Sequence, residues 1–93
     1  TAESCTGGLI ASRLTDIPGA SNYFERGIVS YSNGAKVELL NVDEDTLQTN
    51  GAVSPEVAEQ MAIGIRQSCG TELGLAVTGI MGPTGATMNK PIG

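Results

Sequence analysis

One long amphipathic helix between two short β-rich segments restricts the fold more than any other feature of the sequence. Ser54-Pro55-Glu56 is a strong helix start, because serine caps free amides, proline suits the first helical position and glutamate favours the positive end. Val57, Met61 and Ile65 follow at four-residue intervals and predict one buried stripe. The stripe runs up to Cys69-Gly70, so the helix needs other elements to cover its apolar side.

Apolar runs on either side of this helix predict two buried strands. Gly27 to Tyr31 is β-branched and aromatic, and Leu73 to Ile80 is a second apolar run. Further helices are predicted over Gly8 to about Thr15 and from Ser32 through Leu40, and Asp43-Glu44-Asp45 is interpreted as a solvated helix start. Strands that alternate with helices indicate an α/β fold with a layered sheet.

The low content of aromatic and basic residues limits the ligands of this chain. Aromatic residues make up 3% and no window concentrates Lys or Arg, so base stacking and phosphate-backbone tracking are disfavoured. The net charge of −5 disfavours an anionic membrane surface, and no apolar run approaches the roughly 18 residues of a membrane span. We therefore expect one domain, residues 1–93, with a small-molecule partner, no nucleic acid and no membrane.

The absence of histidine restricts the chemistry. With no His and only two cysteines a zinc site is disfavoured, and we predict neither a metal nor a cofactor. A general base near neutral pH must then be Lys, a carboxylate, Tyr or Cys. Cys5 and Cys69 are interpreted as two separate reduced thiols, and a disulfide between them is left open.

Two segments with polar side chains are candidates for catalysis or binding. Glu3 to Gly8 leads into a helix whose free amides are able to hold a phosphate or carboxylate, unless Ser4 and Thr6 only cap that helix. Ser21 and Lys36 flank the first apolar strand, and a neutral lysine amine is able to accept a serine proton. An ordinary surface lysine is the alternative interpretation of Lys36.

A glycine-rich loop from Gly79 to Pro91 is the third candidate. It follows a buried strand, so it lies at the carboxyl end of that strand, where open α/β sheets bind ligands. Its glycines allow backbone amides to approach a phosphate, and Lys90 adds a positive charge. A plain flexible loop is the alternative interpretation.

Several segments resemble, in order and spacing, the C-terminal domain of the CinA family. They are Thr1 to Gly8, Thr15 to Ser21, Val29 to Lys36, Gly51 to Ser54, and Val77 to Pro83 through Lys90 to Gly93. The resemblance implies a three-layer α/β sandwich with a mixed sheet. It also implies a cytoplasmic nicotinamide-nucleotide amidase, which hydrolyses nicotinamide mononucleotide to nicotinic acid mononucleotide and ammonia in pyridine nucleotide recycling. The family carries a competence- and damage-inducible label as well.

The resemblance also implies roles for individual residues. Ser21 falls on the family's proposed nucleophile, Lys36 on its base and Thr78 on a hydroxyl position of the same site. Substrate binding is implied for Glu3, Ser4, Thr6, Tyr31, Asn33, Gly82, Gly85 and Lys90. No metal takes part in this scheme. A non-catalytic nucleotide-binding or regulatory module of the same family is the alternative.

Some positions depart from the family pattern, and the family domain is longer than this chain. Gly34 lowers helix propensity beside Lys36, while Met81, Ala86 and Asn89 alter the glycine-rich loop and bear on substrate preference. Family members carry further elements before and after the matching region, so we expect a chain truncated at both ends. We also expect a fused N-terminal domain in the parent protein and a homo-oligomer.

Overall fold

Three short parallel strands form the central sheet of the computed structural model, which describes all 93 residues. Strand β1 (Ala2–Glu3) lies between β2 (Ile28–Val29) and β3 (Ala76–Val77), so the spatial order is β2-β1-β3. The helices are α1 (Leu9–Thr15), a single 3-10 turn (Ala20–Asn22), α2 (Asn33–Leu40), α3 (Glu44–Asn50) and α4 (Pro55–Cys69). No helix is both long and apolar enough to span a membrane.

Successive residues of β1 face two different helix layers. Ala2 is fully buried in a core formed with side chains of α2, α3 and α4, among them Leu40, Met61 and Ile65. Glu3 points to the opposite face, where its carboxylate accepts hydrogen bonds from the first turn of α1. Helices therefore cover both faces of the sheet, with α1 on one side and α2 to α4 on the other.

Helices α2 and α4 meet at backbone contact distance. A Cβ placed on Gly64 of α4 would lie 2.0 Å from the carbonyl oxygen of Leu40, the last residue of α2. Only glycine permits this approach. The close contact braces the C-terminal end of α2 against the longest helix of the chain, and α2 is the helix that carries Lys36.

Most of the predicted elements are confirmed. Helix α4 occupies the predicted range, α2 begins after Ser32 as predicted, and Asp43 caps α3. The α/β class is confirmed, but the predicted mixed sheet is wrong for this chain because both strand pairings are parallel. Both cysteines are free, as interpreted, and the two predicted strands are shorter than their apolar runs.

Candidate active site

Three hydroxyl side chains line the carboxyl edge of the sheet, one at the end of each strand. The ladder continues one residue beyond the strands: the Ser30 amide donates to the Glu3 carbonyl at 2.8 Å, and the Ser4 amide donates to the Val77 carbonyl at 3.0 Å. Ser30, Ser4 and Thr78 therefore follow the strand register side by side, on the face covered by α2 to α4.

This edge is also where the chain connections diverge. The connection from β1 to β2 carries α1 on one face, whereas the connection from β2 to β3 carries α2 to α4 on the other face and crosses to the far side of β1. A crevice forms at such a reversal of strand order, and ligands of open α/β sheets bind there. Ser4 and Thr78 stand at the two sides of this point.

Lys36 is buried beneath this edge. Only 1% of its surface is exposed. Its Nζ donates to the Ser30 carbonyl at 2.8 Å, to Ser4 Oγ at 3.1 Å and to the Tyr31 carbonyl at 3.3 Å. The position depends on the start of α2, where Ser32 Oγ accepts a hydrogen bond from the Ala35 amide. The interpretation of Lys36 as an ordinary surface lysine is therefore wrong.

Burial lowers the pKa of Lys36, because the charged ammonium loses its water without gaining a carboxylate partner. The single ion pair of the chain joins Arg26 to Glu25, which precede β2 and so lie at the opposite end of the strands from this site. The Cys5 thiol is the one neighbour whose charge raises the pKa of Lys36, and this effect is smaller than that of burial. Burial thus shifts the protonation equilibrium of Lys36 toward the neutral amine beside a serine hydroxyl, the direction a lysine general base requires.

The predicted anion site before α1 is occupied by a side chain of the protein. Glu3 is 1% exposed, and its Oε1 accepts from the Thr6 hydroxyl at 2.6 Å and from the Ile10 amide at 2.8 Å. Its Oε2 accepts from the Ala11 amide at 2.9 Å. Burial alone would raise the pKa of Glu3, but these hydrogen bonds outweigh it and lower the pKa. The expectation of a ligand anion at this helix start is therefore wrong, and Glu3 and Thr6 hold α1 instead.

The remaining predicted site residues outside the glycine-rich loop lie in different places: one is tied to the segment before α4, and the others are exposed. Thr78 Oγ1 donates to the Ala52 carbonyl at 2.9 Å, which ties the end of β3 to the segment before α4. Ser21 is exposed on the 3-10 turn, and its hydroxyl forms no hydrogen bond with Lys36. Tyr31 and Asn33 are exposed beside the site, and it is the Tyr31 carbonyl, not its ring, that contacts Lys36.

The glycine-rich loop contacts the end of α3 and faces the start of α4 across a cavity. Lys90 Nζ donates to the Asn50 carbonyl, and Thr87 and Lys90 bond to each other across a turn. Gly82 and Gly85 adopt positive φ angles of 78° and 93° in this loop. A cavity of about 330 Å³ lies between the loop and the start of α4, with Ser54, Thr78 and Lys90 among its lining residues. A larger cavity, of about 710 Å³, lies at the opposite end of the strands and contains none of the site residues.

Sequence reasoning missed the buried side chain of Ser30 and the Lys36–Ser4 contact. From the sequence, Ser30 is interpreted only as part of an apolar strand, and Ser4 only as a binding or helix-capping residue. The alternation of side chains along a strand could have predicted the burial of Ser30. Ile28 is partly buried against the core, and Ser30, two residues later, lies on the same face of the sheet. The lysine six residues later returns to this face through the turn into α2.

Comparisons with known proteins agree with this architecture. Residues 1–93 match the family model described as CinA C-terminal domain. A CinA-like protein of Syntrophotalea carbinolica is 62% identical over 92 residues, which are 99% of this chain and 22% of that protein. The crystal structure of the competence/damage inducible protein CihA from Agrobacterium tumefaciens superposes with a TM-score of 0.95 at 50% identity, covering 98% of this chain and 55% of that one. A CinA superfamily protein from Escherichia coli superposes with a TM-score of 0.93 at 35% identity, covering 98% and 53%. The chain thus spans about a fifth of the curated relative and about half of the solved chains.

Proposed function

Because the chain belongs to the CinA family and matches its C-terminal domain from residue 1 to residue 93, we propose that it is a nicotinamide-nucleotide amidase. The substrate is nicotinamide mononucleotide, and the products are nicotinic acid mononucleotide and ammonia. The observation that supports this proposal best is the buried amine of Lys36, 3.1 Å from a serine hydroxyl and without a carboxylate partner. In a chain without histidine, a buried lysine amine is one of the few groups able to act as the general base of an amide hydrolase.

The surroundings of Lys36 shift its pKa in the direction that a general base requires. The pKa of a free lysine, about 10.4, must fall to about 7 or 8 for catalysis near neutral pH, which corresponds to about 4 kcal/mol. Burial lowers the pKa of Lys36. The carbonyls of Ser30 and Tyr31 take two of its N–H groups, so the lone pair of the neutral amine is left to face Ser4 Oγ.

The proposed reaction proceeds in two steps. The neutral Lys36 amine takes the serine proton, and the serine oxygen attacks the carboxamide carbon of the substrate. The resulting tetrahedral intermediate expels ammonia, which receives the proton from the Lys36 ammonium, and an acyl-enzyme ester forms. Water then attacks this ester with the same lysine as base, which releases the carboxylic acid and restores the serine. In this proposal nearby backbone amides stabilise the oxyanion, assisted by Thr78 once its hydroxyl turns from Ala52 to the substrate.

Two serines compete for the role of nucleophile. The hydrogen bond to Lys36 supports Ser4, whereas the family resemblance supports Ser21, which is exposed and has no contact with Nζ in this structure. We take Ser4 as the nucleophile on the ground of geometry. Ser21 then binds substrate, together with Tyr31, Asn33 and the loop that carries Gly82, Gly85 and Lys90.

The test is ammonia release from nicotinamide mononucleotide by the full chain and four variants. Lys36→Met and Ser4→Ala are expected to lose at least about a thousandfold in kcat while circular dichroism stays unchanged. Ser21→Ala is expected to raise KM with a smaller loss in kcat. Ser12→Ala, an exposed serine on α1, serves as the matched control.

Different outcomes separate the alternatives. Loss of turnover in Ser21→Ala with full turnover in Ser4→Ala would transfer the nucleophile to Ser21 and leave the amidase intact. Saturable binding of the nucleotide, measured by calorimetry, without any ammonia release would refute the amidase and establish the non-catalytic nucleotide-binding module.

A further inference from the structure

The hydroxyl of Ser30 is buried without a hydrogen-bond partner. Ser30 is 0% exposed, and its Oγ contacts no donor or acceptor. The two other hydroxyls of the row are paired, Ser4 with Lys36 Nζ and Thr78 with the Ala52 carbonyl. An unpaired buried hydroxyl destabilises a fold, whereas alanine would fill the same position without this cost. The hydroxyl therefore calls for a functional explanation.

The number of acceptors around Lys36 indicates what this hydroxyl does. A lysine ammonium has three N–H groups, and three acceptors surround it: the carbonyls of Ser30 and Tyr31, and Ser4 Oγ. In the tetrahedral intermediate the Ser4 oxygen is bonded to the substrate carbon, which makes it a weak acceptor directed toward the bound substrate. One N–H of a buried ammonium then lacks a partner at the moment when Lys36 must hold the proton for ammonia.

We propose that the Ser30 hydroxyl is the reserve acceptor of the Lys36 ammonium: it accepts the third hydrogen bond of Nζ while the Ser4 oxygen is bonded to the tetrahedral carbon. The proposal rests on the amidase function and on Ser4 as nucleophile. Its geometric basis is that the Ser30 carbonyl already accepts from Nζ at 2.8 Å, and that the unpaired buried hydroxyl belongs to the same residue. Ser30 is thus a positioning residue that acts through Lys36.

Few titratable groups affect the protonation of Lys36. On β1 and its continuation, the Cys5 thiol is the one titratable group that affects the pKa of Lys36. Glu3 on the same strand faces α1, where its carboxylate is fully engaged. No acidic or basic side chain of β2, α2 or α4 acts on the Lys36 pKa. A change in the Lys36 pKa after substitution of Ser30 therefore reports the hydroxyl itself.

The test is a double-mutant cycle read by the pKa of Lys36, which does not depend on turnover. The chain contains only two lysines, Lys36 and Lys90, so lysine labelled with ¹³C at Cε gives two NMR signals, and Lys36→Met assigns them. Four forms of the full chain are titrated: unmodified, Ser30→Ala, Ser4→Ala and the double variant. Ser4→Ala imitates the loss of the Ser4 acceptor in the tetrahedral intermediate.

We expect Ser30→Ala alone to shift the Lys36 pKa by less than about 0.3, because the ammonium retains three acceptors. In the Ser4→Ala background the same substitution is expected to lower the Lys36 pKa by about one unit, because the reserve acceptor is then in use. Equal shifts in the two backgrounds would overturn the proposal. Absence of ammonia release by the unmodified protein would refute the amidase instead, and the cycle would still decide the role of Ser30.

A second readout keeps the proposal testable if Ser4→Ala does not fold. Ser30→Ala should unfold at the same temperature as the unmodified chain or higher, yet its kcat should fall by about tenfold with KM unchanged. Ser30→Thr, which keeps the hydroxyl, should restore kcat. Full kcat in a folded Ser30→Ala variant would show that the hydroxyl has no part in the reaction.

Discussion

Replacing Glu3 by glutamine tests whether this carboxylate anchors α1. In the native protein Oε1 accepts two hydrogen bonds, from the Thr6 hydroxyl and the Ile10 amide, and Oε2 accepts one from the Ala11 amide. A glutamine that keeps its oxygen at the first position retains two neutral hydrogen bonds but directs its NH₂ group at the Ala11 amide, so that two donors face each other. One charge-assisted bond is lost, at about 1.5 to 3 kcal/mol, and a buried N–H is left unpaired.

We therefore expect Glu3→Gln to lower the free energy of unfolding by about 3 kcal/mol, which corresponds to a decrease in Tm of roughly 15 °C for a domain of this size. Urea denaturation followed by circular dichroism measures the free energy, and Glu59→Gln is the control because Glu59 is exposed on α4 and its side chain forms no hydrogen bond. A loss below about 1 kcal/mol would refute the anchoring role.

The effect of Glu3→Gln should also depend on pH. Because the pKa of Glu3 is lowered in the folded chain, its contribution is complete above the ordinary glutamate value of about 4.3 and disappears as the pH falls through the lowered pKa. The difference between native and variant free energies should shrink in acid. A difference that stays constant down to pH 2 would show that charge has no part in it.

Three further predictions concern packing, capping and titration. Gly64→Ala places a methyl group against the Leu40 carbonyl and should destabilise the fold by at least about 3 kcal/mol in urea denaturation. Gly34→Ala, whose new Cβ would meet only Ser32 Oγ at an ordinary contact distance of 3.9 Å, should stabilise it by about 1 kcal/mol. Ser54→Ala removes the cap of α4 and should cost about 1 to 2 kcal/mol in the same assay. Between the lowered pKa of Lys36 and about 10.4 the unfolded chain binds a proton that the folded chain does not, so the free energy of unfolding should rise with pH there, and Lys36→Met should flatten this rise.

The helices were predictable from the sequence because their ends carry local signals. Ser32, Asp43 and Ser54 each cap the helix that follows, and the apolar stripe of α4 is buried as its spacing predicts. Strand β1 was not predicted from pattern, because two residues are too few to show alternation and one of them is a charged glutamate. Parallel pairing is a long-range property, so the sheet order could not be derived from local sequence.

The site was only partly predictable for a related reason. Lys36 was identified, but its partner Ser4 lies 32 residues away and is brought to it by the sheet register. The sequence predicts an anion site at the helix start after Ser4, because no neighbouring residue in the sequence is an evident hydrogen-bond acceptor for the first amides of α1. Glu3, which fills it, was taken for a ligand residue, since no sequence pattern states which face of β1 its side chain occupies.

The alternation of Glu3 and Ser4 on β1 also determines which misfolded form competes with the native one. A slip of one residue in this strand would exchange the two faces, moving the Glu3 carboxylate toward Lys36 and the Ser4 hydroxyl toward α1. The slipped chain would gain a buried ion pair and keep the lysine charged, so it would be compact but inert. The hydrogen bonds between Glu3 and α1 exist only in the native alignment, and they fix the register that keeps the Glu3 carboxylate away from Lys36.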